Sequence, residues 1–276
     1  MKSICFVRVI CVLTTILIAT SVMHPATPAR SAPSYQQTVW GENFEGSGTP
    51  TGTPWFDNQY TEVRSNCGVD GSNCVRVRYA PYSRGSERVT FNRALPPALS
   101  YTLNYDVMFE SDFEFVRGGK LHGLGPTNIV TGCNSGEPSG WSARTMFSGE
   151  GEPYPYLYKQ ERENNCGTSY KGSSFRFQTG TYHAVSLYVK VNSPANEANG
   201  RVLLYVDGIL IEKLTDVQFR SVDTQDSLIN RFMFNTFHGG SDSSWSPSKT
   251  VYARFDNFAV DKGFRIRSAP GKYRDG

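Results

Sequence analysis

The sequence predicts an all-β protein, a β-jelly-roll or concanavalin-like sandwich of two antiparallel sheets. Three observations carry this prediction. Short runs alternating apolar and polar residues recur along the chain, turn residues break them at regular intervals, and no stretch shows the period of a long amphipathic helix.

The runs lie at residues 75–79, 89–92, 101–109, 173–177, 185–191, 202–206, 229–237 and 251–260. In the run 185–191, Val185, Leu187, Val189 and Val191 alternate with Ser186, Tyr188 and Lys190, so one face is expected to be buried and the other wet. Val202, Leu204 and Val206 repeat the pattern, and Asp207 with Gly208 supplies a tight hairpin signal. About ten such strands in one domain must pack as two sheets, and sandwiches of this kind offer one sheet face to an extended ligand.

A chain of 276 residues suits one large β domain. Its first stretch carries Lys2 and Arg8, then the apolar run 9–19, then small residues and prolines up to Ala32, which is the order of a secretory signal peptide. That run is shorter than the roughly 18 to 20 residues needed to span a bilayer. The expected organisation is a signal peptide at 1–32, a jelly-roll domain at 33–260 and a basic, loose tail at 261–276. The expected product is a secreted, extracellular monomer without a membrane anchor.

Cys5 and Cys11 fall in the signal segment and leave Cys67, Cys74, Cys133 and Cys166. An even number in an exported protein favours disulfides, and proximity favours Cys67 with Cys74 and Cys133 with Cys166. No CxxC or HxxxH spacing supports a zinc site, and neither a metal nor a cofactor is expected.

The formal charge of +3 is accounted for by Lys2, Arg8 and Arg30, because no acidic residue precedes Ala32. Lys262, Arg265, Arg267, Lys272 and Arg274 give the tail a further positive excess, so the body of the protein is slightly acidic. A nucleic-acid partner needs a basic face and is excluded on this ground. An anionic ligand must instead be held by a few placed cations.

Three short segments offer such cations. Lys120 follows two glycines in residues 117–123, Ser142 and Arg144 share a strand face, and Tyr154, Tyr156 and Tyr158 share another. This inventory matches the needs of β-elimination in a uronic acid chain. The proton at C5 is a weak carbon acid, so cations must first neutralise the neighbouring carboxylate. Arg144 can grip it with two donors and Lys120 can act as a point charge. A base must then remove the proton and an acid must protonate the departing O4, and a tyrosine beside cations, its pKa lowered from about 10, can serve. Spacing alone does not separate these residues from ordinary surface positions of a sandwich.

The motifs GlyGlyLysLeuHisGlyLeu, GlyTrpSerAlaArgThrMetPhe, TyrProTyrLeuTyr and, late in the chain, PheMetPheAsnThrPheHisGlyGlySerAspSerSerTrp followed by PheAspAsnPhe occur in this order. Together, over about residues 104–260, they resemble polysaccharide lyase family 14. The resemblance implies a β-jelly-roll enzyme acting on an anionic polysaccharide, alginate or glucuronan. It implies catalytic roles for Lys120, Arg144, Tyr156 and Tyr158 and a substrate contact at Ser142. His122 departs from the proline more usual in the family, and as a neighbour on the strand face of Lys120 it is expected to touch substrate. His183 and His238 are weaker candidates.

Two other readings compete. Glu110, Asp112 and Glu114 on one strand face would suit a jelly-roll glycoside hydrolase working through paired carboxylates. Rows of Trp and Tyr on a sandwich face would suit a noncatalytic carbohydrate-binding module.

Overall fold

Alternation along the strands sorts the side chains into one core and two outer faces. The computed structural model describes residues 38–46, 56 and 59–275, so the signal-peptide reading of residues 1–32 lies outside the described residues. The described residues form one compact unit.

The first sheet runs in spatial order β14 (Ile209–Val217), β13 (Gly200–Val206), β12 (Tyr182–Lys190), β7 (Ser100–Phe109), β16 (Val251–Lys262), β3 (Cys74–Tyr79) and β2 (Thr61–Arg64), with β1 (Thr38–Glu42) also pairing β16. The second runs β11 (Thr168–Ser169), β10 (Pro153–Tyr158), β9 (Ser142–Ser148), β8 (Gly118–Gly125), β15 (Ile229–His238) and β6 (Val89–Ala98). Every pairing within these two sheets is antiparallel. Two small hairpins complete the fold, β4 (Pro81–Tyr82) with β5 (Gly85–Ser86) and β17 (Arg267–Ala269) with β18 (Lys272–Tyr273). The run at 173–177, expected as a strand, joins no ladder.

Leu103, Tyr105, Val107 and Phe255 of the first sheet meet Leu121, Leu124, Ala143, Phe147, Phe232 and Phe234 of the second in one buried cluster. Phe109 stands 5.3 Å from Phe147 and Phe234 stands 6.0 Å from Phe255, ring centroid to centroid, so aromatic rings fill the space between the sheets. Each fully buried side chain of this size adds about 1.5 to 3 kcal/mol. This is the expected sandwich.

The segment after Val260 corrects one expectation. Instead of a loose tail, it folds over the outer face of the first sheet. The Arg267 guanidinium donates to Asp106 at 3.1 Å, its backbone N–H donates to Ser186 Oγ at 2.9 Å, and Asn104 donates to the Arg265 carbonyl at 3.0 Å. Ser186, expected on a wet face, is therefore fully buried together with Asn104 and Asp106. Burial of such groups is sustained because each finds a partner.

Both disulfides form in the pairing that proximity favours, Cys67–Cys74 and Cys133–Cys166. The second closes 33 residues and spans β9 and β10, a loop length that stabilises by roughly 3 to 4 kcal/mol in the chain-entropy model.

Candidate active site

The outer face of the second sheet gathers the predicted catalytic residues through strand register. Tyr156 on β10 lies directly opposite Arg144 on β9, and Tyr158 lies opposite Ser142. Arg144 in turn faces Gly123 on β8, and Lys120 faces Met146 on β9 and Phe237 on β15. At Gly123 a Cβ would meet the Arg144 Cβ at 2.6 Å, so glycine is what lets the arginine lie flat across the strand. At Gly239 a Cβ would collide with Lys120 Nζ, so the lysine head occupies the space that this glycine leaves.

A bulge between Lys120 and Gly123 sets the orientation of β8. Three residues of β8 match two of β9, so Lys120 and Gly123 share the outer face while Leu121 and His122 both turn inward. His122 is thus corrected as a substrate contact. It is fully buried, with ring centroids of Phe234, Phe255 and Tyr105 at 4.3, 4.6 and 4.7 Å, and neither ring nitrogen has a partner. Burial holds it well below the usual histidine pKa, so it is neutral.

Arg144 is 3% exposed. Its Nη2 donates to Ser142 Oγ at 3.4 Å, and Ser142 donates to the Val130 carbonyl at 2.7 Å. Ser142 is itself fully buried, and its hydroxyl accepts from the guanidinium and orients it. Arg144 Nε has no partner. Burial pulls the Arg144 pKa down to about 10, and the phenols of Tyr158 and Tyr156 oppose that pull. Burial likewise lowers Lys120 to about 8, helped by the charges of Arg144 and Arg88. Among the described residues neither cation has an acidic partner.

The two phenol oxygens are held by backbone donors. The Cys133 N–H reaches Tyr158 Oη at 2.9 Å and the Gly167 N–H reaches Tyr156 Oη at 3.0 Å. The two rings meet edge to face at 5.5 Å. Burial first, and the interaction with Tyr158 second, push the Tyr156 phenol well above its ordinary pKa, against the expectation that nearby cations lower it. Arg162 over the Tyr158 ring and Lys171 over the Tyr154 ring form a basic rim, at 5.0 and 4.8 Å from the centroids.

The acidic run is not on a strand, because β7 ends at Phe109. Glu110 is bonded to Arg76 through two contacts of 2.8 Å and to Arg254 at 2.8 Å, on the outer face of the first sheet. Asp112 pairs with Lys249 at 2.9 Å and Glu114 accepts from Ser248. The three carboxylates share no face, so the hydrolase geometry is absent from them. His183 bonds Asp207 at 2.7 Å, and His238 bonds the Glu114 carbonyl at 2.6 Å, so both have structural partners. Sequence reasoning missed Asn235, which lies on the same outer face as Met233 and Phe237 and whose buried Nδ2 has no partner. Its only signal was a polar residue inside an apolar run.

The polysaccharide lyase 14 family pattern matches residues 72–258. The chain belongs to polysaccharide lyase family 14. It is therefore a polysaccharide lyase with the jelly-roll fold of that family. A variant of alginate lyase Aly36B, solved with an alginate trisaccharide, is 25% identical with a TM-score of 0.60 over 76% of this chain and 96% of that one. The marine family 14 alginate lyase from Aplysia kurodai is 23% identical with a TM-score of 0.62, covering 81% of this chain and 98% of that one. The endo-β-1,4-glucuronan lyase from Trichoderma reesei shares the fold at 14% identity, with a TM-score of 0.59 over 86% of this chain and 100% of that one. No curated protein matches the sequence. Among the described residues of this family 14 chain, no helix is long and apolar enough to cross a membrane.

Proposed function

We propose that the protein is exported and cleaves a 1,4-linked uronic acid polymer, alginate or glucuronan, by β-elimination on the face that carries Lys120, Arg144, Tyr156 and Tyr158. The observation that carries this reading is the pair of desolvated cations, Arg144 buried and Lys120 half-buried. Lys120 and Arg144 are both desolvated and both depressed in pKa, and among the described residues neither has a protein carboxylate to offset it. Leaving charges in that state is costly, and a substrate carboxylate removes the cost.

Arg144 and Lys120 neutralise the uronate carboxylate, which lets charge build on C5. Tyr158, as phenolate, takes the C5 proton, with the Cys133 N–H 2.9 Å from its oxygen. The C5 electron pair forms the C4 to C5 double bond as the C4–O4 bond breaks. Tyr156, held protonated by burial, hydrogen-bonds the sugar and can deliver the proton to O4. Export is supported by the amino-terminal segment and by two disulfides. The test is incubation with defined uronans. Growth of ultraviolet absorbance with new reducing ends supports the reading, and reducing ends without absorbance would point to hydrolysis.

A further inference from the structure

Beside Lys120, on the side away from the tyrosines, the β4–β5 hairpin carries a hollow of about 310 Å³ lined by Tyr60, Tyr82, Arg84, Glu87 and Arg88. The hairpin is fastened to the end of the same strand that supports the lysine. Gly85 bridges Gly239, the glycine under Lys120 Nζ, and the His238 N–H donates to Ser86 Oγ at 2.9 Å. Arg88 and Lys120 share the Phe237 ring, at 5.5 and 5.6 Å from its centroid. Glu87 is already paired with Arg78 at 3.0 Å, whereas among the described residues neither Arg84 nor Arg88 has an acidic partner. Tyr82 is 52% exposed, a large ring face open to solvent.

We propose that this hollow is a further binding subsite for the acidic polysaccharide, taking a uronate residue beyond the one whose bond is broken. Arg84 and Arg88 receive its carboxylate, and Tyr82 offers a ring on which the sugar stacks. The proposal rests on the reading of the adjacent face as a polyuronate lyase. From β10 to β15 the face spans three strand spacings, about 14 Å, so a chain lying across the strands passes the tyrosines, Arg144 and Lys120 before it reaches the hairpin. A row of cations along that path matches a polymer with a carboxylate on every residue.

The test is calorimetric binding of a uronate hexamer, a uronate trimer and a carboxyl-reduced hexamer. They are titrated into Tyr158→Phe protein and into the same protein carrying Arg84→Ala and Arg88→Ala. The affinity for the acidic hexamer is expected to fall by at least about tenfold, what a single charge-assisted contact supplies, and by several times more than that for the trimer. Arg84→Lys with Arg88→Lys should recover part of the loss. Equal losses for both lengths, equal losses for the carboxyl-reduced hexamer, or no loss for the acidic hexamer overturns the subsite. Wild-type protein that forms no unsaturated product from any uronan refutes the lyase reading instead, and the hexamer comparison still decides the hollow.

Discussion

The backbone N–H of Cys133 donates to the Tyr158 hydroxyl across 2.9 Å. The N–H of Gly167, which follows Cys166, does the same for Tyr156, and Cys133 is bonded to Cys166. One disulfide therefore ties together the two loops that hold both phenols. Its loss should release those donors and leave both hydroxyls without their backbone hydrogen bonds. Cys133→Ser with Cys166→Ser is expected to lower kcat by about tenfold and to move the rising limb of the pH profile upward, since a hydrogen bond to an anion contributes about 1.5 to 3 kcal/mol. Removing Cys67–Cys74 should lower the melting temperature without moving the limb. An unchanged limb in the Cys133 variant would reduce this disulfide to a staple.

The tyrosines should separate under Phe substitution, which keeps the ring and removes the hydroxyl. Tyr158→Phe is expected to reduce kcat by about 10² to 10⁴-fold with KM little changed. Tyr156→Phe should cost less if its role is to hold substrate, and as much if it also protonates O4. Arg144→Ala and Lys120→Ala should both be severe, because each leaves charge uncompensated in the transition state. Steady-state kinetics on one uronan decides among these outcomes.

Much of this site was legible because strand alternation has a fixed period. It placed Tyr156 with Tyr158 and Ser142 with Arg144 on shared faces, and it placed Val185, Leu187 and Val189 in the core. It failed where the period breaks. The bulge after Lys120 has no residue signature, so His122 was assigned to the wrong face. Partners far apart in sequence were equally hidden. The buried pairing of Arg267 with Asp106, 161 residues away, turned a basic segment with the composition of a loose tail into a cover for the first sheet. Arg88 carries no local signal and Asn235 only that of a polar residue inside an apolar run, because only the folded sheet brings them beside Lys120 and Phe237.

Glu110 tests the hydrolase reading and the fold at once. Arg76 first, and Arg254 after it, hold its carboxyl below the usual range. A depressed carboxyl contributes stability that is present above its unfolded pKa, about 4.3, and is lost as pH falls through the lower folded value. Glu110→Gln should cost about 1 to 3 kcal/mol at neutral pH by weakening both arginine contacts, and the gap from wild type should shrink in acid. Its kcat at a temperature where both proteins are folded should stay within about twofold, since surface changes away from a site leave the chemistry alone. An inactive but folded Glu110→Gln protein, alongside an active Tyr158→Phe protein, would move the chemistry to the acidic segment.

Lys120 gives the sharpest pH prediction. Burial, then the charges of Arg144 and Arg88, bring its ammonium down to about 8 in the free protein. If the ammonium neutralises the substrate carboxylate, kcat/KM should fall as pH rises through about 8. Bound uronate restores a negative neighbour and raises that pKa, so the falling limb of kcat should lie at higher pH than that of kcat/KM. Arg84→Ala with Arg88→Ala removes one of the positive fields and should move the limb upward as well. Lys120→Arg, which stays charged throughout, should lose the falling limb while turning over more slowly, because the larger head must fit over Gly239. The opposite sign is equally informative: a rate that rises through pH 8 and is abolished in Lys120→Arg would make neutral Lys120 the base that takes the C5 proton and leave Tyr158 to position the sugar.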